Sequence, residues 1–567
     1  MLRDGCSGSA GAGLTLRAPP PLVLPSDFRG RVFQGKEAAT RASRVSGPYS
    51  AFPPAYVVPS DLDGLRAVVG WAFEERIALI PRGGGTGMPG GNIGPYLTVE
   101  VGPGFQDIEW VDEGRGRLRA GAGVIAADAE RFAREAGFTL PFLPSSRRLC
   151  RIGGMVANNA AGARSFRHGA TAASVTGVEG LFAWGDPFRV GVGATEPEVF
   201  RELRSRLERT LAATVPDGPV LPDWPRVRKN ASGYALDRYL PQGDPAQLLV
   251  GSEGTLAFVT HVELHLVPKP EARGLIVLAA RSLSDLERIA ARAAELGTET
   301  CEFLGRRFLH ISGLAGGTGP GPARADPRIR RLAEAAEALV LIEVAGSTEE
   351  VDAGISAVRA EGGAGALGSL VARDPDEIER LWELRHSASP MIAQEAGQGR
   401  FSIQFIEDSV VPPGALGSYL SGLDQILESA GLDAVTFGHA GDGNVHVNPL
   451  VDVYDPDWRG RVRKALNGVT ELVASLGGTL SGEHGDGRLR APLLERIWGP
   501  RMIDAFRLVK EMLDPRGILN PGVILPLRGQ DPLEGLRPRP PEGLPGREGG
   551  AHLSAFDSPT SLTDGVA

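Results

Sequence analysis

A chain of 567 residues is longer than one hydrophobic core organises, so two or more domains are expected. Charged residues at 23% and hydrophobic residues at 42% match a globular chain and exclude one dominated by membrane spans or by disorder. The net charge of −9 carries no basic footprint, which excludes nucleic acid as a partner, and the widely spaced Cys6, Cys150 and Cys301 exclude a disulfide framework and a cysteine-ligated iron–sulfur cluster.

Residues 1–24 are rich in Gly, Pro and Ser and lack the apolar core of a signal peptide, so disorder is expected there. Helical spacing over 61–76 leads to a short strand at 77–80 and then to the loop Arg82-Gly83-Gly84-Gly85-Thr86-Gly87. Consecutive glycines leave backbone N–H groups free to face phosphate oxygens, with Arg82 adding charge; a tight turn is the alternative. No GK[ST] follows, and Pro89-Gly90-Gly91 rules out a helix-opening dinucleotide fingerprint. Strands are expected at 97–101 and 118–120, with a helix at 126–136. Pro144-Ser145-Ser146 and the run from Gly153 to Gly162, with Asn158 and Asn159, form a second small-residue stretch. It suits a long cofactor lying against backbone, or a helix packed closely on a sheet. His168, just beyond, reads as a loop residue.

Lys229-Asn230-Ala231-Ser232-Gly233-Tyr234 and Gly251-Ser252-Glu253-Gly254-Thr255 come before an alternating stretch at 255–267. Glu253 either accepts from a ribose or ring group or caps a turn. Pro268-Lys269-Pro270 punctuates the chain as a domain boundary. Strand, helix, a Gly/Pro loop at 313–327, a further helix, strand (338–344) and helix (348–361) then suggest a second α+β domain. Three of the 9 histidines, His439, His446 and His484, fall in two glycine-rich stretches, the last beside Glu483. Two imidazoles and a carboxylate suit a divalent ion such as zinc, with His484 left over as a base. The alternative is that His439 and His446 only bond the turn backbone. Helices at 458–476 and 499–513 follow, and 527–567 is again expected to be disordered.

In order, PRGGGTG, PSS…RIGGMVANNAAG, KNASGY, GSEGTL, GHAGDGNVHVN, GEHGDG and LDPRGILNPG resemble the FAD-linked 2-hydroxy-acid dehydrogenases of the vanillyl-alcohol-oxidase type. That group includes D-lactate dehydrogenases, the glycolate oxidase flavoprotein subunit and D-2-hydroxyglutarate dehydrogenases. The likeness spans about residues 50–526. It implies an α+β fold with a vanillyl-alcohol-oxidase-type two-part FAD-binding domain at 25–270, an α+β cap (substrate) domain at 271–455, and a C-terminal segment at 456–526 returning to the FAD domain. The FAD is expected to be non-covalent, since 82–91 holds no His or Cys.

The resemblance also implies residue roles. Gly83, Gly84, Gly85, Thr86 and Gly87 cradle the pyrophosphate. Pro144, Ser145, Gly153, Gly154, Asn158 and Gly162 line the flavin, and Glu253 and Asn520 hold it from the other side. His439, His446 and Glu483 hold zinc or another divalent metal, and His484, near neutral pKa, is the catalytic base. Arg385, in Trp382-Glu383-Leu384-Arg385, grips the substrate carboxylate; an ordinary helix-surface arginine paired with Glu379 or Glu383 is the alternative. Ser389, Arg400 and Asn448 fall where hydroxyglutarate-type members carry Thr, Lys and Asn, and a second cation at Arg400 suits a second carboxylate. Arg488 and Arg490 lie where relatives often carry lysine, which leaves fine positioning open.

The activity so implied is oxidation of a (D)-2-hydroxy acid, D-2-hydroxyglutarate or D-lactate favoured, to the 2-oxo acid by hydride transfer to flavin N5. A separate acceptor follows: an iron–sulfur subunit, a quinone or an electron-transfer flavoprotein. A cytoplasmic location is expected, compatible with peripheral membrane contact and with a homo-oligomer. A flavoprotein oxidase of another alcohol, or a non-catalytic flavin/metal subunit of a larger redox complex, would share the same loops.

Overall fold

A computed structural model of the chain describes residues 23–212, 224–316, 326–388, 391–392 and 400–536. Residues 1–22 and 537–567, most of the Gly/Pro loop at 313–327, and Ser389 lie outside them.

The first lobe carries two sheets. In the four-stranded one the order is Gly30–Gln34, Ala55–Pro59, Leu97–Glu100, Leu79–Arg82, the last three running parallel. The helix Leu62–Glu75 forms because Asp61 caps it, accepting from Gly64 N at 2.8 Å, and because Leu65, Val68, Val69 and Ala72 share one buried face. It ends at Arg76, and the strand follows at Leu79–Arg82, two residues later than expected. That strand opens straight into the glycine loop. The second sheet is five-stranded and antiparallel, with Ala257–His265 at its centre.

The second lobe is an eight-stranded sheet whose described pairings are all antiparallel. Glu302–Gly305 lies mid-sheet, between Ala338–Gly346 and Asp433–His439, and the latter pairs with Asn444–Asp452. Helices Leu283–Glu295 and Leu416–Ser429 cover this sheet through Leu286, Ile289, Leu420 and Leu423.

Three expectations need correction. The helix Trp458–Ser475 buries Val462, Ala465, Leu466 and Val469 in the same core as the eight-stranded sheet. The chain therefore returns to the first lobe after that helix rather than at 456. The return is made by hydrogen bonding: Leu79 N donates to Ile518 O and Asn520 N to Leu79 O, both at 2.8 Å, extending the edge of the glycine-loop strand. The last helix spans Leu494–Leu513, not 499–513; Gly499 at φ 69 kinks it just before Pro500, so the periodicity is legible only beyond the break. Residues 527–536, assigned to a disordered tail, are packed: Leu533 and Leu536 are 1% and 4% exposed, and Leu536 bridges to Tyr49. Short apolar anchors without periodicity give no sequence signal. Among the described residues no helix is long and apolar enough to cross a membrane.

Candidate active site

A cavity of about 1860 Å³ runs between the lobes. Its lining includes the glycine loop, the 144–162 stretch, and His439, His446, Glu483 and His484. Gly83 to Gly87, Pro144, Ser145, Gly153, Gly154, Asn158 and Gly162 all reach it. Gly84 is required by the protein itself, since a Cβ there would sit 2.2 Å from the Leu149 carbonyl. Arg82 also lines the cavity. Its guanidinium is buried, donating to the carbonyls of Ala42 (3.0 Å), Arg44 (2.5 Å) and Asn92 (3.2 Å), which ties the loop to the neighbouring backbone.

The donor set of His439, His446 and Glu483 is built around a tight reversal. Strands Asp433–His439 and Asn444–Asp452 pair with Phe437 opposite His446 and His439 opposite Asn444, so the two imidazoles project from one face. Their Nε2 atoms are 3.3 Å apart, and Glu483 Oε1 is 3.4 Å from each. Two metal–nitrogen bonds of about 2.0–2.1 Å at a tetrahedral angle need that spacing. Each Nδ1 is committed outward, His439 to Glu302 and His446 to the Glu407 carbonyl at 3.2 Å, which turns both Nε2 lone pairs inward. Burial lowers the His446 pKa and keeps it neutral. Burial works against ionised Glu483, but Lys229 and His439 outweigh it and hold it well below the usual carboxylate range. Burial opposes a charge on His439, but Glu302 outweighs it and raises its pKa. A divalent cation at the three inward atoms would take the place of that proton, so the residues present fit one.

His484 faces the same point, its Nε2 3.4 Å from Glu483 Oε1. Its Nδ1 bonds Glu407 Oε2 at 2.5 Å, and Arg490 holds the other oxygen of Glu407. Burial disfavours a charge on the ring, yet Glu407 and Asp408 prevail and raise His484 to about 9, above the near-neutral value expected. The flavin-side loop meets this residue directly: Asn158 Nδ2 donates to the His484 carbonyl at 2.8 Å.

Arg385 closes the cavity wall from the end of the helix Pro375–His386, where a cation suits the helix dipole. Its Nε donates to Glu302 Oε2 at 2.9 Å and its guanidinium lies 4.4 Å from the Phe437 ring, so neither Glu379 nor Glu383 is its partner. Beside it, burial and the neighbouring Arg385 lower His386 to about 4, a neutral imidazole in the wall. Asn448 also lines the cavity, accepting from Gln404 Nε2 at 3.0 Å.

Residues 53–191 match the family described as FAD binding domain, and residues 269–524 match FAD linked oxidases, C-terminal domain. The glycolate oxidase subunit GlcD of Bacillus subtilis (strain 168) is 30% identical over 486 residues, 84% of this chain and 89% of the relative. The chain belongs to the FAD-linked oxidase family. It is an FAD-linked oxidoreductase of the 2-hydroxy-acid dehydrogenase type. The D-lactate dehydrogenase of Archaeoglobus fulgidus is 27% identical, over 83% of this chain and 90% of the relative. The D-2-hydroxyglutarate dehydrogenase of Escherichia coli (strain K12) is 28% identical over 88% of this chain, which spans 51% of that longer relative. The fold is that of p-cresol methylhydroxylase (TM-score 0.60, 15% identity, covering 88% of this chain and 94% of that one) and of 4-ethylphenol oxidase from Gulosibacter chungangensis (0.61, 15%, 88% and 95%). These are vanillyl-alcohol-oxidase-type flavoproteins, as the motifs imply.

Two expected site residues of this FAD-linked oxidase stand elsewhere. Arg400 is not among the residues lining the central cavity; it faces Asp433 at 3.7 Å and lines a separate cavity of about 220 Å³. Asn520 does not line the central cavity either. Its amide donates to the carbonyls of Gly91 and Glu253, both at 2.8 Å, and accepts from Arg488 at 2.8 Å, so it braces Glu253. Glu253 does reach the cavity, but its carboxylate accepts from Asp486 N at 2.6 Å and Gly487 N at 3.0 Å, the turn-capping alternative. Burial and the charge of Asp486 push its pKa up to about 8.

Sequence reasoning missed Glu302, Glu407, Asp408 and the role of Lys229, whose ammonium pairs with Glu483 Oε2. Glu407-Asp408 between Ile406 and Val410-Val411 was a visible signal, two adjacent carboxylates in an apolar run. Glu302 carried none. Gly84→Val is expected to purify with markedly less FAD, read from the absorbance ratio of flavin to protein; a full flavin complement would refute the close approach of the two loops.

Proposed function

We propose that the protein oxidises a 2-hydroxy acid of the D series to the 2-oxo acid, with FAD and a divalent ion both bound in the central cavity. The observation that carries this reading is the convergence of His439, His446, Glu483 and His484 in a cavity also lined by the glycine loops and Arg385.

Arg385 takes the substrate carboxylate, a planar fork meeting a planar anion. Its Nε, already bonded to Glu302, fixes the direction in which the rest of the guanidinium points. His439, His446 and Glu483 would hold the ion, which would lower the pKa of a neighbouring hydroxyl, while FAD would supply the hydride acceptor. His484 takes the hydroxyl proton. Its Nδ1–H is directed at Glu407, so Nε2 carries the accepting lone pair. Loss of that proton lets the Cα–H electron pair leave as hydride, and the carbonyl of the 2-oxo acid forms. Asn448 and Gln404 offer amide groups to the remainder of the substrate. With Arg400 outside this cavity, its charge no longer argues for a second substrate carboxylate. The relatives' names make glycolate, D-lactate and D-2-hydroxyglutarate the first substrates to test. An iron–sulfur subunit, a quinone or an electron-transfer flavoprotein would take the electrons onward.

The deciding experiment is anaerobic mixing of the yellow protein with each acid, with and without prior chelation. One acid is expected to bleach the flavin, chelation to slow bleaching and added zinc to restore it; no bleaching by any 2-hydroxy acid would reject the reading. His484→Ala is expected to slow bleaching by about 10²–10⁴-fold while FAD stays bound, and an unchanged rate would remove the base from His484. A base held near 9 is protonated below that pH, so kcat/KM should rise as pH rises towards 9. In Glu407→Gln the carboxylate that raises the pKa is gone, and the limb should move to lower pH; a limb that stays in place would show that another group titrates.

A further inference from the structure

We infer that Glu302 is a positioning residue that locks the ion-ligand set and the carboxylate clamp to one another, and thereby selects substrates whose hydroxyl and carboxylate sit on adjacent carbons; the inference rests on the function proposed above. Glu302 is 1% exposed and stands at the start of a strand in the middle of the eight-stranded sheet. One carboxylate oxygen bonds His439 Nδ1, and the other accepts from Arg385 Nε at 2.9 Å. The two oxygens of a carboxylate are held rigidly relative to each other, so the imidazole and the guanidinium are set at a fixed separation.

A second contact repeats the constraint. The Arg385 guanidinium lies 4.4 Å from the Phe437 ring, and Phe437 precedes His439 by two residues on the same strand face. Phe303, next to Glu302, pairs in register with Gly438, so the carboxylate and His439 are carried by neighbouring, hydrogen-bonded strands. The clamp is thus referenced to the ligand strand twice, once through charge and once through the ring face. A substrate that engages both ends must match that span.

The carboxylate cannot be replaced by its isostere. A glutamine amide has one accepting and one donating side, while His439 Nδ1–H and Arg385 Nε–H are both donors. If its oxygen faced Arg385, its NH₂ would face His439 Nδ1 and force the proton onto Nε2, which then could not bind a cation. If its oxygen faced His439, two N–H groups would oppose each other at the clamp. Either way the negative charge shared by both bonds is gone, and charge-assisted bonds are about twice as strong as neutral ones.

The test uses the full-length FAD-loaded protein and two binding readouts. Zinc affinity is measured by equilibrium dialysis with metal analysis. Oxalate, which carries oxygens on adjacent carbons, is titrated at saturating zinc by its perturbation of the flavin spectrum. In Glu302→Gln zinc affinity is expected to fall by about 10–100-fold, the range for lost outer-sphere partners, and oxalate affinity by about tenfold or more. Arg385→Lys serves as the comparison and should weaken oxalate alone. Glu302→Asp keeps the charge and should retain zinc binding better than Glu302→Gln while narrowing the preference for a 2-hydroxy over a 3-hydroxy acid. Wild-type-like affinity for either probe in Glu302→Gln would overturn the inference and leave the proposed function standing. A wild-type protein that binds neither zinc nor oxalate would overturn both.

Discussion

One carboxylate holds the functional loop in shape. Asp408 is fully buried, and its Oδ2 accepts from Ser481 Oγ and from the backbone N–H groups of Gly482, Glu483 and His484, all at 2.9–3.0 Å. Burial alone would neutralise it, but the charges of His484 and Arg490 prevail and lower it to about 2. Glu483 and His484 are adjacent in sequence and must present a ligand atom and a base at nearly one point. An extended pair would aim them apart. Gathering the backbone around a single anion is what turns both inward.

The charges that accumulate around this loop are tolerated because each has a partner within reach. Lys229 meets Glu483, Arg490 meets Glu407, Arg385 meets Glu302, and Glu407 meets His484. A buried ion without such a partner costs several kcal/mol. The pairing also assigns protons, and so decides which nitrogen of each histidine faces the cavity.

Both halves of the chemistry are tied to the same strip of chain. Asn158, on the flavin side, holds the His484 carbonyl; Glu253, two residues past Gly251, caps the backbone at 486–487; Asn520 braces Glu253. Glu253 and Asn520 adopt left-handed backbone, φ 51 and 44, which non-glycine residues do when their side chains are needed in place. The C-terminal return therefore does more than complete a sheet edge. It fixes the distance between the cofactor floor and the donor set.

Much of this was legible from residues in a row. The glycine loops, the paired histidines and the Glu-His step announce themselves because a close backbone approach or a turn needs small residues at fixed spacing, and that constraint is local. The helix at 62–75 and the strands at 97–100 and 338–346 were legible for the same reason, through periodicity. What sequence alone could not decide is which distant side chains answer the local ones. Glu302 and Arg385, or Lys229 and Glu483, are separated by 83 and 254 residues and carry no shared pattern. Arg400 shows the reverse: its position in the chain suited a substrate cation, and its place at the sheet edge put it on another cavity. Sequence determined the kinds of groups present, because loop chemistry is short-range. Tertiary structure decided their partners, protonation and direction, because buried charge is balanced only across the fold.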